Sequence, residues 1–73
     1  MSRKDYLAVA AEVVQATEMI KADAKAGYIT PETAQAKIST LHTFIVDCMV
    51  PMFRRDNSLF DRSKFLLACG INR

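Results

Sequence analysis

The residues of this chain that could do chemistry are few and far apart. Its usual metal ligands and nucleophiles are a single histidine, His42, and two cysteines, Cys48 and Cys69. Their spacings match no zinc-ligand pattern, and the chain has no Ser-His-Asp spacing typical of a catalytic triad. The sequence also has no glycine-rich phosphate loop and no close pair of carboxylates in an evident pocket. We therefore predict that the chain is not an enzyme and uses no metal and no cofactor.

Length and composition predict a small folded domain that gains stability from a partner. A chain of 73 residues buries only about 60% of the surface that its unfolded form exposes. Two cysteines are too few for a disulfide framework, so both thiols are expected to stay reduced inside a cell. The hydrophobic fraction of 51% argues against disorder, and no apolar run reaches the roughly 18 residues of a membrane span. We expect a soluble protein without membrane contact that is stabilised by oligomerisation.

The first part of the sequence predicts two long helices joined by a tight turn. One helix covers about residues 3–26 and ends at Gly27, because glycine readily adopts the left-handed conformation found after helices. The turn 27–30 leads to Thr30, a good N-cap, and to Pro31, which fits the first helical position. A connection this short makes the two helices antiparallel neighbours.

The second helix is predicted to cover about residues 31–50 and to kink or break at Pro51, which cannot donate a helical hydrogen bond. One more helical turn to about Arg55 is expected to follow, because Met52 and Phe53 keep the apolar spacing. A short third helix follows at about 62–69, with Asp61 as its cap and Gly70 after its end. The fold class is therefore predicted as all-α: a long antiparallel helical hairpin plus a short C-terminal helix, completed by oligomerisation.

We call the second predicted helix, together with the turn after Pro51, the central helix. Its second half is too apolar to be covered by two short neighbouring helices. Residues 34, 38, 41, 45, 48 and 52 form one apolar face at helical spacing, but further apolar residues lie outside that face. Methionines are frequent among them, and flexible methionine surfaces suit binding. The predicted self-association and partner-binding surface consists of Phe44, Val46, Met49, Val50, Met52 and Phe53.

Two alternative functions follow from charged residues. A basic cluster near the C-terminus could contact the phosphates of nucleic acid, but the net charge is only +2 and Asp56 and Asp61 lie within it, so this is not favoured. A small anionic nucleotide signal could instead stack on Tyr6 and pair with Lys21 or Lys25 at an oligomer interface. The basic cluster contains Arg54, Arg55, Arg62, Lys64 and Arg73, and Arg3 and Lys4 would join it in an antiparallel hairpin.

Both ends of the sequence resemble a family of small proteins from tailed phages and prophages. The C-terminal run DNSLFDRSKFLLACG (residues 56–70) resembles the family's ending DNPRFDRxRFLAACG, and the start MSRKDYLAVAAEVV resembles its opening RKDYxxIAxxI. The chain departs from that pattern at Ser58-Leu59, where the family usually has Pro-Arg. The resemblance implies a phage-encoded accessory protein in the host cytoplasm, and it implies no settled activity.

Taken together, these observations favour a small non-catalytic binding protein that self-associates and acts on a host protein, in host takeover or counter-defence.

Overall fold

The computed structural model describes residues 2–72 and consists of helices joined by short connections. No strand occurs within this described part of the chain, which confirms the all-α prediction. In chain order the elements are α1 (Arg3–Lys25), α2 (Pro31–Phe44), a π-helical segment (Ile45–Met49), α3 (Val50–Asp56) and α4 (Arg62–Ala68).

Local side-chain and glycine interactions define where the helices begin and end. Ser2 caps α1 in a reciprocal capping box with Asp5, and the Thr30 hydroxyl accepts a hydrogen bond from the Thr33 N–H at 3.1 Å. Gly27 and Gly70 have φ of 86° and 77°, a conformation that glycine adopts at low cost. At each glycine the next residue donates its N–H back into the last helical turn, which gives both helices a defined end.

The helix does not break at Pro51. In a regular α-helix, this proline would lack its N–H bond and its ring would clash with the carbonyl of Asp47. The π-helical segment supplies a wider turn instead, in which the Val50 N–H donates to the carbonyl of Ile45, five residues back. The chain therefore stays helical from Pro31 to Asp56, which agrees with the further turn expected after Pro51.

The hydrophobic core lies at the end of the hairpin where α1 begins. α1 packs against α2 along the hairpin and against α4 near this end, and the molecule measures 42 × 20 × 16 Å. Between residues 14 and 44 only Ala34 is buried, so the other end of the hairpin has almost no core. The core side chains are those of Tyr6, Ala10, Val13, Ile45, Val50, Phe53, Phe65, Leu66, Cys69 and Ile71.

Four aromatic rings form the centre of this core, and we call them the aromatic cluster: Tyr6, Phe53, Phe60 and Phe65. Neighbouring ring centroids lie 4.8 to 5.5 Å apart, mostly in tilted or edge-to-face arrangements that favour aromatic packing. The cluster joins α1, α3, the connection before α4, and α4 itself. The short C-terminal helix is therefore an integral part of the fold.

No helix in residues 2–72 is both long enough and apolar enough to cross a membrane.

Truncating Phe65 tests the structural role of α4. Phe65 is only 2% exposed, so Phe65→Ala should lower the free energy of unfolding by about 3 to 4 kcal/mol. Leu67→Ala is the matched control, because Leu67 lies in the same helix but is 77% exposed, and it should change stability by no more than about 0.5 kcal/mol. Urea titrations followed by circular dichroism measure both values. Equal stability of the two variants would contradict this role for α4.

Candidate functional site

The predicted interface residues divide between the core and the surface. Val50 and Phe53 are buried in the core of the chain itself, so they are not available to a partner. Val46 and Met49 are half-buried and pack against that core. Phe44 and Met52 are exposed, at 53% and 47%. The fold therefore buries some of the apolar side chains of the central helix and leaves a smaller apolar surface exposed.

That smaller surface is a line of three side chains on the central helix, Phe44, Cys48 and Met52, which we call the apolar stripe. All three are exposed and follow one another in four-residue steps. In an α-helix each such step overshoots a full turn by about 40°. The wider π turn acts against this drift, so we expect the three positions to lie on one side of the helix. The stripe carries no charge along its whole length.

A second candidate surface is a cleft between the start of α1 and the segment around the start of α4. We call it the end cleft, and its volume is about 270 Å³. Three aromatic residues line it: Phe60 is half-buried, whereas Tyr6 and Phe65 are only 5% and 2% exposed. Two exposed leucines, Leu7 and Leu59, also line it, and Leu59 is 88% exposed. The cleft is thus lined by apolar and polar side chains together and is open to solvent.

The hydrogen-bond acceptors of the end cleft already have partners within the chain. The Asp61 carboxylate accepts the Lys64 backbone N–H at 3.0 Å, and the Asn57 side-chain oxygen accepts the Leu59 N–H at 2.9 Å. Two cationic side chains, Arg3 and Lys64, also line the cleft. Neither forms an ion pair with a carboxylate within residues 2–72. The cleft therefore combines apolar walls with two available positive charges.

The structure brings together only part of the predicted basic cluster. Arg3 and Lys64 line the same cleft, as expected for an antiparallel hairpin, but Arg54 and Arg55 lie on α3 and do not line it. Arg62 is half-buried at the start of α4. Lys4 is exposed on α1 but does not line the cleft, and Arg73 lies outside the described residues. Of the predicted basic cluster, the cleft therefore contains only Arg3 and Lys64.

The nucleotide site was predicted at an oligomer interface, and within one chain the fold does not bring Tyr6 together with Lys21 or Lys25. Tyr6 is 5% exposed and cannot offer its ring face to a ligand. Its hydroxyl donates to Asp56 at 3.2 Å, and burial, followed by this hydrogen bond, raises the pKa of Tyr6. Lys21 is about 22 Å farther along α1 and lies 3.8 Å from Glu18.

No three His, Cys, Asp or Glu side chains in the described part of the chain come close enough to hold a metal ion. Of the residues considered as ligands, His42 is half-buried, Cys48 is exposed and Cys69 is buried.

Comparisons of the chain with protein-family models, with curated proteins and with solved structures return no match. The candidate surfaces are therefore argued from the geometry of their own residues.

The end cleft was missed at the sequence level, although one signal pointed to it. Leu59 is an apolar residue in the connection before α4, and neither the cap at Asp61 nor the contact between Phe60 and Phe65 explains why it is apolar.

The two thiols should differ sharply in reactivity. Cys48 is exposed, whereas burial raises the pKa of Cys69 to about 11. In dilute protein at pH 8, a disulfide reagent such as DTNB should titrate one thiol rapidly, and Cys48→Ser should remove that reaction. The second thiol should react only in denaturant. Rapid reaction of both thiols in the folded protein would contradict this placement of Cys69.

The raised pKa of Cys69 also predicts how stability depends on pH. An unfolded thiol titrates near pH 8.5, so between about pH 8.5 and 11 the unfolded chain loses a proton that the folded chain keeps. The free energy of unfolding should fall across that range and be unaffected by this group at lower pH. Tyr6, whose pKa is also raised, acts in the same direction. Urea titrations of the parent and of Cys69→Ala at several pH values measure the cysteine contribution.

Proposed function

We propose that this chain is a non-catalytic binding protein that self-associates through the apolar stripe and acts on another protein. The observation that carries the proposal is the stripe itself. Phe44 and Met52 leave about half of their surface exposed on an uncharged line of the central helix, next to the core. Exposed apolar surface of this kind is typical of protein contacts.

The position of Cys48 makes the stripe self-complementary. Cys48 lies four residues from Phe44 and four residues from Met52, at the midpoint of the line. If two copies pack these helices antiparallel about a two-fold axis at Cys48, Phe44 of each copy meets Met52 of the other. Most soluble homo-oligomers use such isologous two-fold contacts. The same axis brings the two Cys48 thiols close together.

The end cleft gives the self-associated protein a second surface for a partner. It shares no residue with the apolar stripe, so contact between copies through the stripe uses none of its lining. The resemblance of both ends of the sequence to tailed-phage accessory proteins favours a host protein as that partner, in the cytoplasm of the infected cell. Host takeover and counter-defence are the roles that such a binding protein would serve.

Self-association is tested by adding a charge to the stripe. At tens of micromolar, the parent should scatter light with a mass near twice 8.2 kDa. Met52→Glu should shift the protein to a monomer, because two like charges would then lie close to the interface. Leu67→Glu is the matched control, since it adds the same charge at an exposed leucine outside the stripe. A parent that stays monomeric at this concentration would contradict the proposal.

Oxidation distinguishes the proposed two-fold axis from other modes of contact. With diamide as the oxidant, two Cys48 thiols in the dimer should form one intermolecular disulfide, and diamide is reduced to its hydrazide. Cys48→Ser should prevent this cross-link, because the remaining Cys69 is buried. A parent dimer that does not cross-link would place the axis elsewhere.

Nucleic-acid binding is the second candidate function, and one observation favours it. Arg54 and Arg55 are adjacent and exposed, and within residues 2–72 neither pairs with a carboxylate. We expect these arginines to be a solvated edge of α3, because the surface near them offers no exposed aromatic ring on which an unpaired base could stack.

The salt dependence of binding separates these two candidates. Fluorescence anisotropy with labelled duplex and single-stranded DNA should show weak binding at low salt that disappears at physiological salt. Submicromolar binding at physiological salt that is lost in the double variant Arg54→Ala, Arg55→Ala would instead establish a nucleic-acid-binding protein.

A further inference from the structure

We propose that the end cleft binds an acidic segment of a partner protein through one aromatic side chain of that segment. The inference rests on the proposed function, because it specifies what the partner presents.

The volume of the cleft limits what can occupy it. Sites for drug-sized ligands usually have volumes of about 300 to 1,000 Å³. At about 270 Å³, the end cleft lies just below that range. It has room for one large side chain and part of its backbone, and a nucleotide would be too large to enter it fully. The occupant is therefore a single anchoring group attached to a larger molecule outside the cleft.

The lining of the cleft favours an aromatic anchor. Phe60 is half-buried and lines the cleft, whereas Tyr6 and Phe65 also line it but are only 5% and 2% exposed. A further ring could pack against Phe60, whose ring already packs against those of Tyr6 and Phe65 at centroid distances of 4.8 and 5.5 Å. Leu7 and Leu59 would cover the ring from the solvent side, and contact with it would bury apolar surface that is now exposed.

The charges of the cleft favour carboxylates next to that anchor. Arg3 on α1 and Lys64 on α4 both line the cleft, and neither is neutralised by an ion pair within the described residues. The one carboxylate in the lining, Asp61, is held by the backbone N–H of Lys64 as the cap of α4. The lining thus carries a net positive charge, and acidic residues beside the anchor could reach Arg3 and Lys64.

The test uses a fluorescein-labelled peptide, GSDDFDGS, and fluorescence anisotropy with the full-length protein. The parent should bind this probe. Replacing the phenylalanine by serine (GSDDSDGS) or the aspartates by asparagine (GSNNFNGS) should weaken binding, because each change removes one part of the complementarity. Equal binding of all three peptides would overturn the proposal.

Two pairs of variants locate the binding. Leu59→Glu should weaken binding about tenfold by removing apolar contact and adding a repulsive charge, whereas Leu67→Glu, which adds the same charge outside the cleft, should not. Lys64→Glu should weaken binding about threefold to tenfold, whereas Arg55→Glu should change it little. All four residues are exposed, so the variants should fold. Loss of binding in the two control variants as well would place the peptide elsewhere and overturn the proposal.

Light scattering on the same samples keeps this inference separate from the proposed self-association. A dimeric parent that does not bind GSDDFDGS overturns the inference and leaves self-association standing. A monomeric parent that binds the peptide, with the expected loss in Leu59→Glu and Lys64→Glu, supports the inference and contradicts the self-association.

Discussion

The packing of Phe53 against three other aromatic rings is the interaction on which the rest of this structure depends. Phe53 contacts Tyr6 at 5.0 Å, Phe60 at 5.5 Å and Phe65 at 5.4 Å between ring centroids, and so connects every part of the chain that meets at this end. To place Phe53 there, the helix has to continue past Pro51. The π-helical segment makes that continuation possible and is therefore part of the same constraint.

A core concentrated at one end has consequences for the surfaces of the molecule. The tip of the hairpin is two helices with little buried between them, and its stability depends on the end that carries the aromatic cluster. Near that end, Phe60 is only half-buried, and the cleft beside it is open. The same helix that brings Phe53 into the core carries Phe44, Cys48 and Met52, which are exposed on its outside. The two proposed binding surfaces thus follow from the same packing.

Much of this fold could be predicted from sequence because local signals determine it. The caps at Thr30 and Asp61 and the glycines after α1 and α4 act within a few residues, and each lies where its residue type indicated. The path through Pro51 could not be predicted in the same way. Whether a proline breaks a helix or is accommodated by a wider turn depends on the tertiary contacts that the following turn gains, here those of Phe53.

The candidate surfaces were predictable only in part for the same reason. Apolar spacing identified the region from Phe44 to Phe53, but the spacing could not tell which of its residues the chain would bury itself, and Val50 and Phe53 proved to be core. The end cleft brings Arg3 and Leu7 together with Leu59 and Lys64, more than 50 residues away in sequence. Such a site depends on tertiary contacts, and no local pattern specifies it.

Hydrogen exchange resolved along α1 tests the central claim most directly, namely that the stability of the hairpin is concentrated at the end that carries the aromatic cluster. The amides of α1 around Ala10 and Val13 should exchange most slowly, because this part of the helix opens only when the core unfolds. The amides from Met19 to Lys25 should exchange clearly faster, because that part of α1 can separate from α2 without disturbing the core. Equal protection along the whole of α1, or greater protection at the tip of the hairpin, would contradict the account.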